Sequence, residues 1–318
     1  MAGCPGHRRD LIRPTIIAGN WKHNPNRSTG EALWRKVIEG VEERRSAAVN
    51  RSVNQRSVNQ RSVNQRSVNQ RSVNQRSVNQ RSVNSGVDTP EAGVEVVIFP
   101  PFPWLGWLSS ATEGRATVGW GAQCVSECSP GAFTGEVGAE LVRDFGAQWC
   151  LVGHSERRTL FGVDDDSVAR RIRQAWDHDL KPVLCIGETL EQRENGETRS
   201  VVGEQLEKGL SLCQEEELPV VAYEPVWAIG TGVTATVEQV AEVHGFLRNR
   251  LCELRGESAH ATPLLYGGSV KADNAADLLG LADVDGALVG GASLEAESFL
   301  GIVDAGIASR GGCRPETS

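Results

Sequence analysis

The chain of 318 residues has no excess of positive charge, because 33 Lys and Arg stand against 41 Asp and Glu, a formal net charge of −8. General nucleic-acid binding requires basic patches that match the phosphate backbone, and this balance argues against it. No apolar run reaches the roughly 18 residues that a membrane span requires. We therefore expect neither a nucleic-acid partner nor a membrane-embedded segment.

Two further absences concern the cell compartment. Residues 1–13 lack the apolar core of a secretory signal, although a short basic leader for an organelle is an alternative. A reduced cytoplasmic protein without a metal ion is the simplest interpretation of the cysteines. Cys150 and Cys185 fall in predicted strands, where small core residues are favoured over nucleophiles. The eight cysteines form no C-x-x-C pair and no zinc-type cluster with histidine: Cys4, Cys124, Cys128, Cys150, Cys185, Cys213, Cys252 and Cys313.

The sequence does contain a regular alternation of short apolar runs with amphipathic stretches, such as 168–176 and 237–247. Continuous apolar strands alternating with helices indicate a parallel sheet, and eight such units close into a (β/α)8 barrel. We expect one α/β domain over 14–309, with flexible tails at 1–13 and 310–318. The eight runs lie at about 15–17, 94–99, 117–122, 149–152, 182–186, 219–223, 263–266 and 286–289.

Residues 51–84 are a low-complexity tandem repeat, RSVNQ six times followed by RSVN. A five-residue period gives the valines no common face on a helix or on a strand, so we expect this insertion to be disordered. It falls between a first helix at about 28–45 and the second strand, on the barrel face opposite the carboxyl ends of the strands. It is either a tandem expansion without a role or a partner-binding module.

One segment combines an acid with a hinged loop. Glu224 ends an apolar run, Pro225 stiffens the chain after it, and Gly230 and Gly232 loosen the far end. The apolar stretch between them, 226–229, needs a surface on which to close. This arrangement is typical of a general base beneath a closing lid, and an ordinary turn is the alternative.

Two other predicted strand ends carry polar groups. Asn20 and Lys22 lie two residues apart after the first strand and project to the same side, where they can face one anionic ligand. His154 lies between a strand and Ser155-Glu156, which resemble the cap and first turn of a helix. The positive end of that helix favours a neutral imidazole.

The chain resembles the triosephosphate isomerase family from about residue 14 to about residue 308. The matching segments, in the family's order, are AGNWK at 18–22, GAFTGE at 131–136, GHSERRTLFG at 153–162, CIGETLEQRENG at 185–196, AYEPVWAIGTG at 222–232, YGGSV at 266–270 and GALVGGASL at 286–294. The resemblance implies a TIM barrel that interconverts dihydroxyacetone phosphate and glyceraldehyde 3-phosphate through an enediol, with no cofactor.

The resemblance also implies roles for residues. Glu224 carries the proton, neutral His154 donates to the oxygens, Lys22 supplies a positive charge, and Asn20 orients the carbonyl end. Glu156 is either a partner of Lys22 or a structural acid. Backbone N–H groups near strand ends and helix starts are suited to phosphate. The expected substrate-binding and supporting positions further include Trp21, Ser155, Gly230, Ser269, Gly290 and Gly291.

Three positions depart from the family's pattern, namely His23, Cys124 and Val233. None removes a group from the implied mechanism. The family is dimeric, and the resemblance implies a homodimer with the loop around Thr134 at the interface, which Cys124 could weaken. The alternatives are a barrel that serves as a binding scaffold through its Arg-rich repeat, or another phosphosugar enzyme on the same fold.

Overall fold

The computed structural model describes residues 13–68, 93–112, 117–230 and 233–311, with side chains excluded for 48–68, 310 and 311. Eight parallel strands close into a barrel in which every strand pairs with its neighbours in sequence and β8 returns to β1. The fold predicted from the apolar runs is confirmed. The strands are β1 Ile16–Asn20, β2 Glu95–Phe99, β3 Gly119–Ala122, β4 Trp149–Val152, β5 Lys181–Ile186, β6 Val220–Tyr223, β7 Leu264–Tyr266 and β8 Gly286–Val289.

Helices follow the strands around the outside of the barrel, and short 3-10 turns occur at Val226–Ala228, Glu257–Ala261 and Gly291–Leu294. The predicted helical stretches 168–176 and 237–247 lie inside α5 and α8. The helices are α1 Arg27–Val68, α2 Pro103–Thr112, α3 Ala139–Asp144, α4 Ser155–Phe161, α5 Asp165–Asp177, α6 Leu190–Glu194, α7 Thr198–Leu210, α8 Val237–Arg255, α9 Ala275–Leu279 and α10 Ala296–Gly311.

The end of α1 differs from the sequence expectation. The helix continues to Val68 and so includes the first part of the repeat, whereas the sequence predicted an end near residue 45. Neither Pro nor Gly occurs between Val41 and Val68, and each added residue gains one helical hydrogen bond once the helix is nucleated. The rest of the repeat, 69–84, lies outside the described residues.

Alternate side chains of each strand point into the barrel or outward to the helices. Leu33, Trp34, Val37 and Val41 of α1 belong to the outer core, so the described contacts of this helix come from its first half. Twelve buried residues fill the interior: Ile16, Ala18, Val97, Phe99, Trp149, Leu151, Val183, Cys185, Val220, Ala222, Leu265 and Leu288.

A buried ion cluster closes the amino-terminal face of the barrel. Asp285, fully buried before β8, accepts from Arg248 Nη2 and Arg13 Nε, both at 2.7 Å. Arg248 also donates to Thr262 O at 2.6 Å. Arg13 therefore belongs to the barrel, although the sequence placed it in a flexible tail. At the other end α10 continues to Gly311, two residues beyond the expected domain end.

None of the helices in the described ranges is long and apolar enough to cross a membrane. The six cysteines in these ranges are all free thiols.

Candidate active site

Parallel strands bring their carboxyl ends to one rim, and the candidate residues meet there. Asn20 ends β1 and Lys22 follows two residues later, His154 follows β4, and Glu224 directly follows β6. Asn20, His154 and Glu224 are all buried. The three segments singled out from the sequence thus contribute to one site.

The imidazole of His154 and the carboxylate of Glu224 are in direct contact. His154 Nε2 lies 3.1 Å from Glu224 Oε1, and the backbone N–H of Ser155 donates to Glu224 Oε2 at 3.0 Å. Glu224 is only 2 % exposed. Both carboxylate oxygens therefore contact nitrogen atoms at the start of α4.

The start of α4 also defines the tautomer of His154. The backbone N–H of Glu156 donates to His154 Nδ1 at 3.3 Å, so Nδ1 must carry a lone pair. The proton of a neutral ring then resides on Nε2, the atom that faces Glu224. His154 is itself the N-cap of the helix and Ser155 is its first residue, which corrects the expectation that Ser155 is the cap.

Lys22 is held in an unusual conformation. Its φ of 50° lies in the left-handed region, which residues other than glycine rarely adopt. The Asn20 side chain accepts from the Lys22 N–H at 2.9 Å, and Gln123 Nε2 donates to the Lys22 carbonyl at 2.7 Å. Lys22 Nζ lies 2.5 Å from Glu156 Oε1. This geometry supports the role of Glu156 as a partner of Lys22 over the role of a structural acid.

Sequence analysis missed Gln123, which also donates to Phe99 O at 2.9 Å and so joins the ends of β1, β2 and β3. Its position directly after the β3 run was the available signal.

Two glycines, of which the sequence analysis did not single out Gly187, allow the backbone of Glu224 to pack closely. A Cβ atom at Gly187 would lie 1.7 Å from Glu224 O, and one at Gly267 would lie 2.8 Å from Glu224 Cγ. The Glu224 N–H donates to Ile186 O at 2.7 Å. Any larger residue at either glycine would displace the carboxylate.

The first part of the predicted lid is anchored by Glu188, which is fully buried and was also missed. Tyr223 Oη and Trp227 Nε1 donate to Glu188 Oε1 at 3.1 and 3.0 Å, and the Val226 N–H donates to Glu188 O at 3.1 Å. Burial, and then the Glu188 carboxylate, raise the pKa of Tyr223 far above its ordinary value, so the phenol remains a donor. Glu188 thereby joins the residue before Glu224 to the first turn of the loop.

The expected phosphate positions are partly brought together. A 3-10 turn begins at Gly291, and a Cβ atom at Gly290 would lie 3.4 Å from Lys22 Cε, so this turn adjoins the lysine. Ser269 follows β7 and is half-buried. Gly230 is exposed with φ 70°, and nothing lies within 4 Å of the position its Cβ would take. Gly232 lies outside the described residues.

Two side chains behave as core rather than as ligand contacts. Trp21 is fully buried in the outer core and packs edge-on against Trp104, with ring centroids 6.1 Å apart. Its expected role in binding the substrate therefore does not extend to its side chain.

Burial, and then the Glu224 carboxylate, raise the pKa of Cys185 well above its ordinary value. The thiol therefore stays protonated beneath the acid.

Within the described part of the chain, no three His, Cys, Asp or Glu side chains converge as a metal site. The fold and the site define a class: a (β/α)8 barrel whose carboxyl-end rim carries a carboxylate and an imidazole beside a lysine.

Comparisons with known proteins give the family within this class. A family model described as triosephosphate isomerase matches residues 63–306. The triosephosphate isomerase of Ralstonia nicotianae is 53% identical over 209 residues, which cover 65% of this chain and 84% of that protein. That of Nitrosomonas europaea is 48% identical over 211 residues, covering 66% and 83%. The triosephosphate isomerase structure from Bartonella henselae superposes with a TM-score of 0.70 at 32% identity, covering 92% of this chain and 99% of that one. The chain belongs to the triosephosphate isomerase family.

Proposed function

We propose that this chain interconverts dihydroxyacetone phosphate and D-glyceraldehyde 3-phosphate by moving a proton between adjacent carbons through an enediol, a step of glycolysis and gluconeogenesis. The contact between His154 Nε2 and Glu224 Oε1 at 3.1 Å is the observation that carries the proposal. It places a base and a hydrogen-bond donor side by side, as proton transfer next to a carbonyl requires.

The reaction divides between the two residues. Glu224 removes the proton from one carbon, and the negative charge that develops on the neighbouring oxygen is stabilised by the His154 Nε2–H and the Lys22 ammonium. Glu224 then returns the proton to the adjacent carbon, while the hydroxyl proton of the substrate passes from one oxygen to the other beside His154 Nε2. In the structure His154 and Ser155 occupy both oxygens of Glu224, so the arriving substrate must replace the His154 contact.

The remaining groups bind and orient. Asn20, which accepts from the Lys22 N–H, holds the lysine backbone beside the carbonyl end of the substrate. We assign the phosphate to backbone N–H groups of Ser269, Gly290 and Gly291, and to Gly230 once the loop closes. Glu156 fixes the direction of the Lys22 side chain. The reaction needs no metal ion or organic cofactor.

A coupled assay for dihydroxyacetone phosphate formed from glyceraldehyde 3-phosphate tests the proposal. We expect turnover to be lost on addition of excess inorganic phosphate and regained on dilution, because phosphate competes for the anion site. Absence of turnover in the folded wild-type chain contradicts the proposal. The scaffold alternative is not favoured, since Lys22, His154 and Glu224 are all present.

We also propose a homodimer in which the loop containing Thr134 contacts the partner. Large apolar side chains lie exposed after the neighbouring strands β3 and β4: Phe133 is 49% exposed, Leu160 71% and Phe161 65%. A cavity of about 240 Å³ lined by this loop adds surface that a partner can fill. Light scattering on the wild type and on Thr134→Arg tests this, with a dimer expected only for the wild type.

We place the protein in the cytoplasm. The free thiols of Cys124, Cys128, Cys150, Cys185, Cys213 and Cys252 fit a reducing compartment.

A further inference from the structure

Arg158 lies on α4, one turn beyond His154, and its side chain folds back beneath the catalytic rim. Its Nε donates to the carbonyl of Gly153 at 2.8 Å, and its Nη2 donates to the carbonyl of Cys185 at 3.3 Å. Nη1 contacts Asp165 Oδ1 at 2.5 Å. A single guanidinium, 16% exposed, therefore ties the end of β4 to β5.

These two carbonyls lie close in sequence to both reacting groups. Gly153 directly precedes His154. Cys185 directly precedes Ile186, whose carbonyl accepts the N–H of Glu224 at 2.7 Å. A shift of either strand end would therefore change the separation of His154 Nε2 and Glu224 Oε1.

The site around the guanidinium is shaped for it. Gly153 has φ 75°, and a Cβ atom there would lie 3.1 Å from Arg158 Nη2 and 2.9 Å from Val168 Cγ2. A planar guanidinium with donors in fixed directions can bridge two separated carbonyls, which the single ammonium of lysine cannot do with the same geometry.

We propose that Arg158 is a positioning residue for the reaction: by clamping the carbonyls of Gly153 and Cys185, it sets the distance between His154 and Glu224. The inference rests on the proposed function, since it concerns the same reaction. Displacements of about 1 Å in such a pair cost up to about 10²-fold in rate.

The test compares Arg158→Lys and Arg158→Gln with Asp165→Asn as the matched control. The control removes the ion-pair partner but leaves both bonds to the carbonyls. We expect kcat to fall about ten- to hundredfold in both Arg158 variants, because a small misplacement of the pair affects the transition state most. We expect KM and the inhibition constant of inorganic phosphate to stay within about twofold, because Arg158 does not contact the turns at Ser269 and at Gly290-Gly291, to which we assign the phosphate. Asp165→Asn should keep kcat within about twofold.

Histidine ¹⁵N NMR provides a readout independent of turnover. The Nε2 signal of His154 should move in both Arg158 variants and stay in place in Asp165→Asn. If Arg158→Lys keeps the kcat and the His154 signal of the control, the proposal is overturned. The same holds if both Arg158 variants fail to fold while the control folds, because the role is then structural. An inactive wild type whose His154 signal still responds to Arg158 would instead overturn the proposed function alone.

Discussion

His154 Nε2 and Glu224 Oε1 lie 3.1 Å apart, although the residues follow different strands and are separated by 69 others in the chain. The Glu156 N–H bonded to His154 Nδ1 leaves only Nε2 to carry the proton of the neutral ring. The contact is therefore a directed hydrogen bond from imidazole to carboxylate, and it makes definite predictions.

Glu224→Gln keeps the size of the side chain and removes the base. We expect turnover to fall by at least about 10²–10⁴-fold, the usual loss for a general base, while inorganic phosphate still binds. Coupled-assay kinetics and phosphate titration measure the two quantities. Glu295→Gln, at a carboxylate before α10, is the control and should behave as wild type. A Glu224→Gln enzyme with near-normal turnover would remove this residue from the proton path.

The tautomer of His154 can be observed directly. In ¹⁵N-labelled protein at neutral pH, we expect Nδ1 to give the signal of an unprotonated nitrogen and Nε2 that of an N–H, because the Glu156 amide occupies the Nδ1 lone pair. His154→Gln provides the assignment. A protonated Nδ1 in the phosphate-free enzyme would contradict the geometry at the start of α4.

The lid makes a prediction about anions. The space that a Cβ of Gly230 would occupy is open, and we expect its N–H to reach a phosphate only after the loop has moved. We expect inorganic phosphate to slow hydrogen exchange and proteolysis across 225–233, because closure orders the segment. Gly230→Ala is the matched variant: φ 70° disfavours alanine, so the protection should weaken. Equal protection with and without phosphate in the wild type would exclude a moving lid.

His244 predicts acid sensitivity of the fold. Burial lowers its pKa to about 4, while its Nδ1 lies 3.0 Å from Asp283 O and Asp285 and Asp283 partly oppose the shift. An unfolded histidine titrates near 6.5, so the unfolded state binds the extra proton first as pH falls. The contribution of His244 to stability is thus complete above about pH 6.5 and is lost progressively towards pH 4.

We expect the free energy of unfolding to fall by about 2 kcal/mol between pH 7 and 5 on account of His244. Urea denaturation at both pH values should show a smaller fall in His244→Asn than in the wild type. His260→Asn, whose side chain is 40% exposed, should retain the wild-type dependence. An unchanged pH dependence in His244→Asn would assign the effect to other groups.

The repeat should be dispensable for the reaction. Excision of residues 51–84 leaves the buried side chains of α1, up to Val41, and the pairing of Arg44 with Asp304 at 2.7 Å. We expect kcat and KM within about twofold of the wild type. Stability should rise by at most about 1–2 kcal/mol, because a shorter connection costs less entropy to close. Loss of activity, folding or oligomeric state on excision would support a partner-binding role for the repeat.

The sequence was sufficient for the barrel because its strands are continuous apolar runs, and those runs coincide with the observed strands. It also predicted that the segments carrying Asn20, Lys22, His154 and Glu224 lie at one rim, because each follows a run. It could not identify Gly187 or Glu188, whose importance depends on contacts with the next strand, β6, and the loop after it. The orientation of Trp21, in contrast, was available from the sequence, because the alternation that puts Asn20 and Lys22 on one side puts Trp21 on the other, towards the outer core.

The end of α1 differs for another reason. The sequence predicted an end near residue 45 because the helical periodicity stops there, whereas the helix continues to Val68. Neither Pro nor Gly occurs between Val41 and Val68, so no residue in this stretch ends a helix by its own backbone preference.

Because of the direction of α1, changes in the length of the repeat and changes at the site fall on opposite faces of the barrel. The helix follows β1 and returns towards the amino-terminal face, so its far end emerges opposite the rim that holds Glu224. While it remains helical, each five-residue unit adds about 7.5 Å to the length of the helix. The number of units then sets the length of a spacer. A domain fused at the end of this spacer would be held at an adjustable distance from the barrel, on the face opposite the reaction centre.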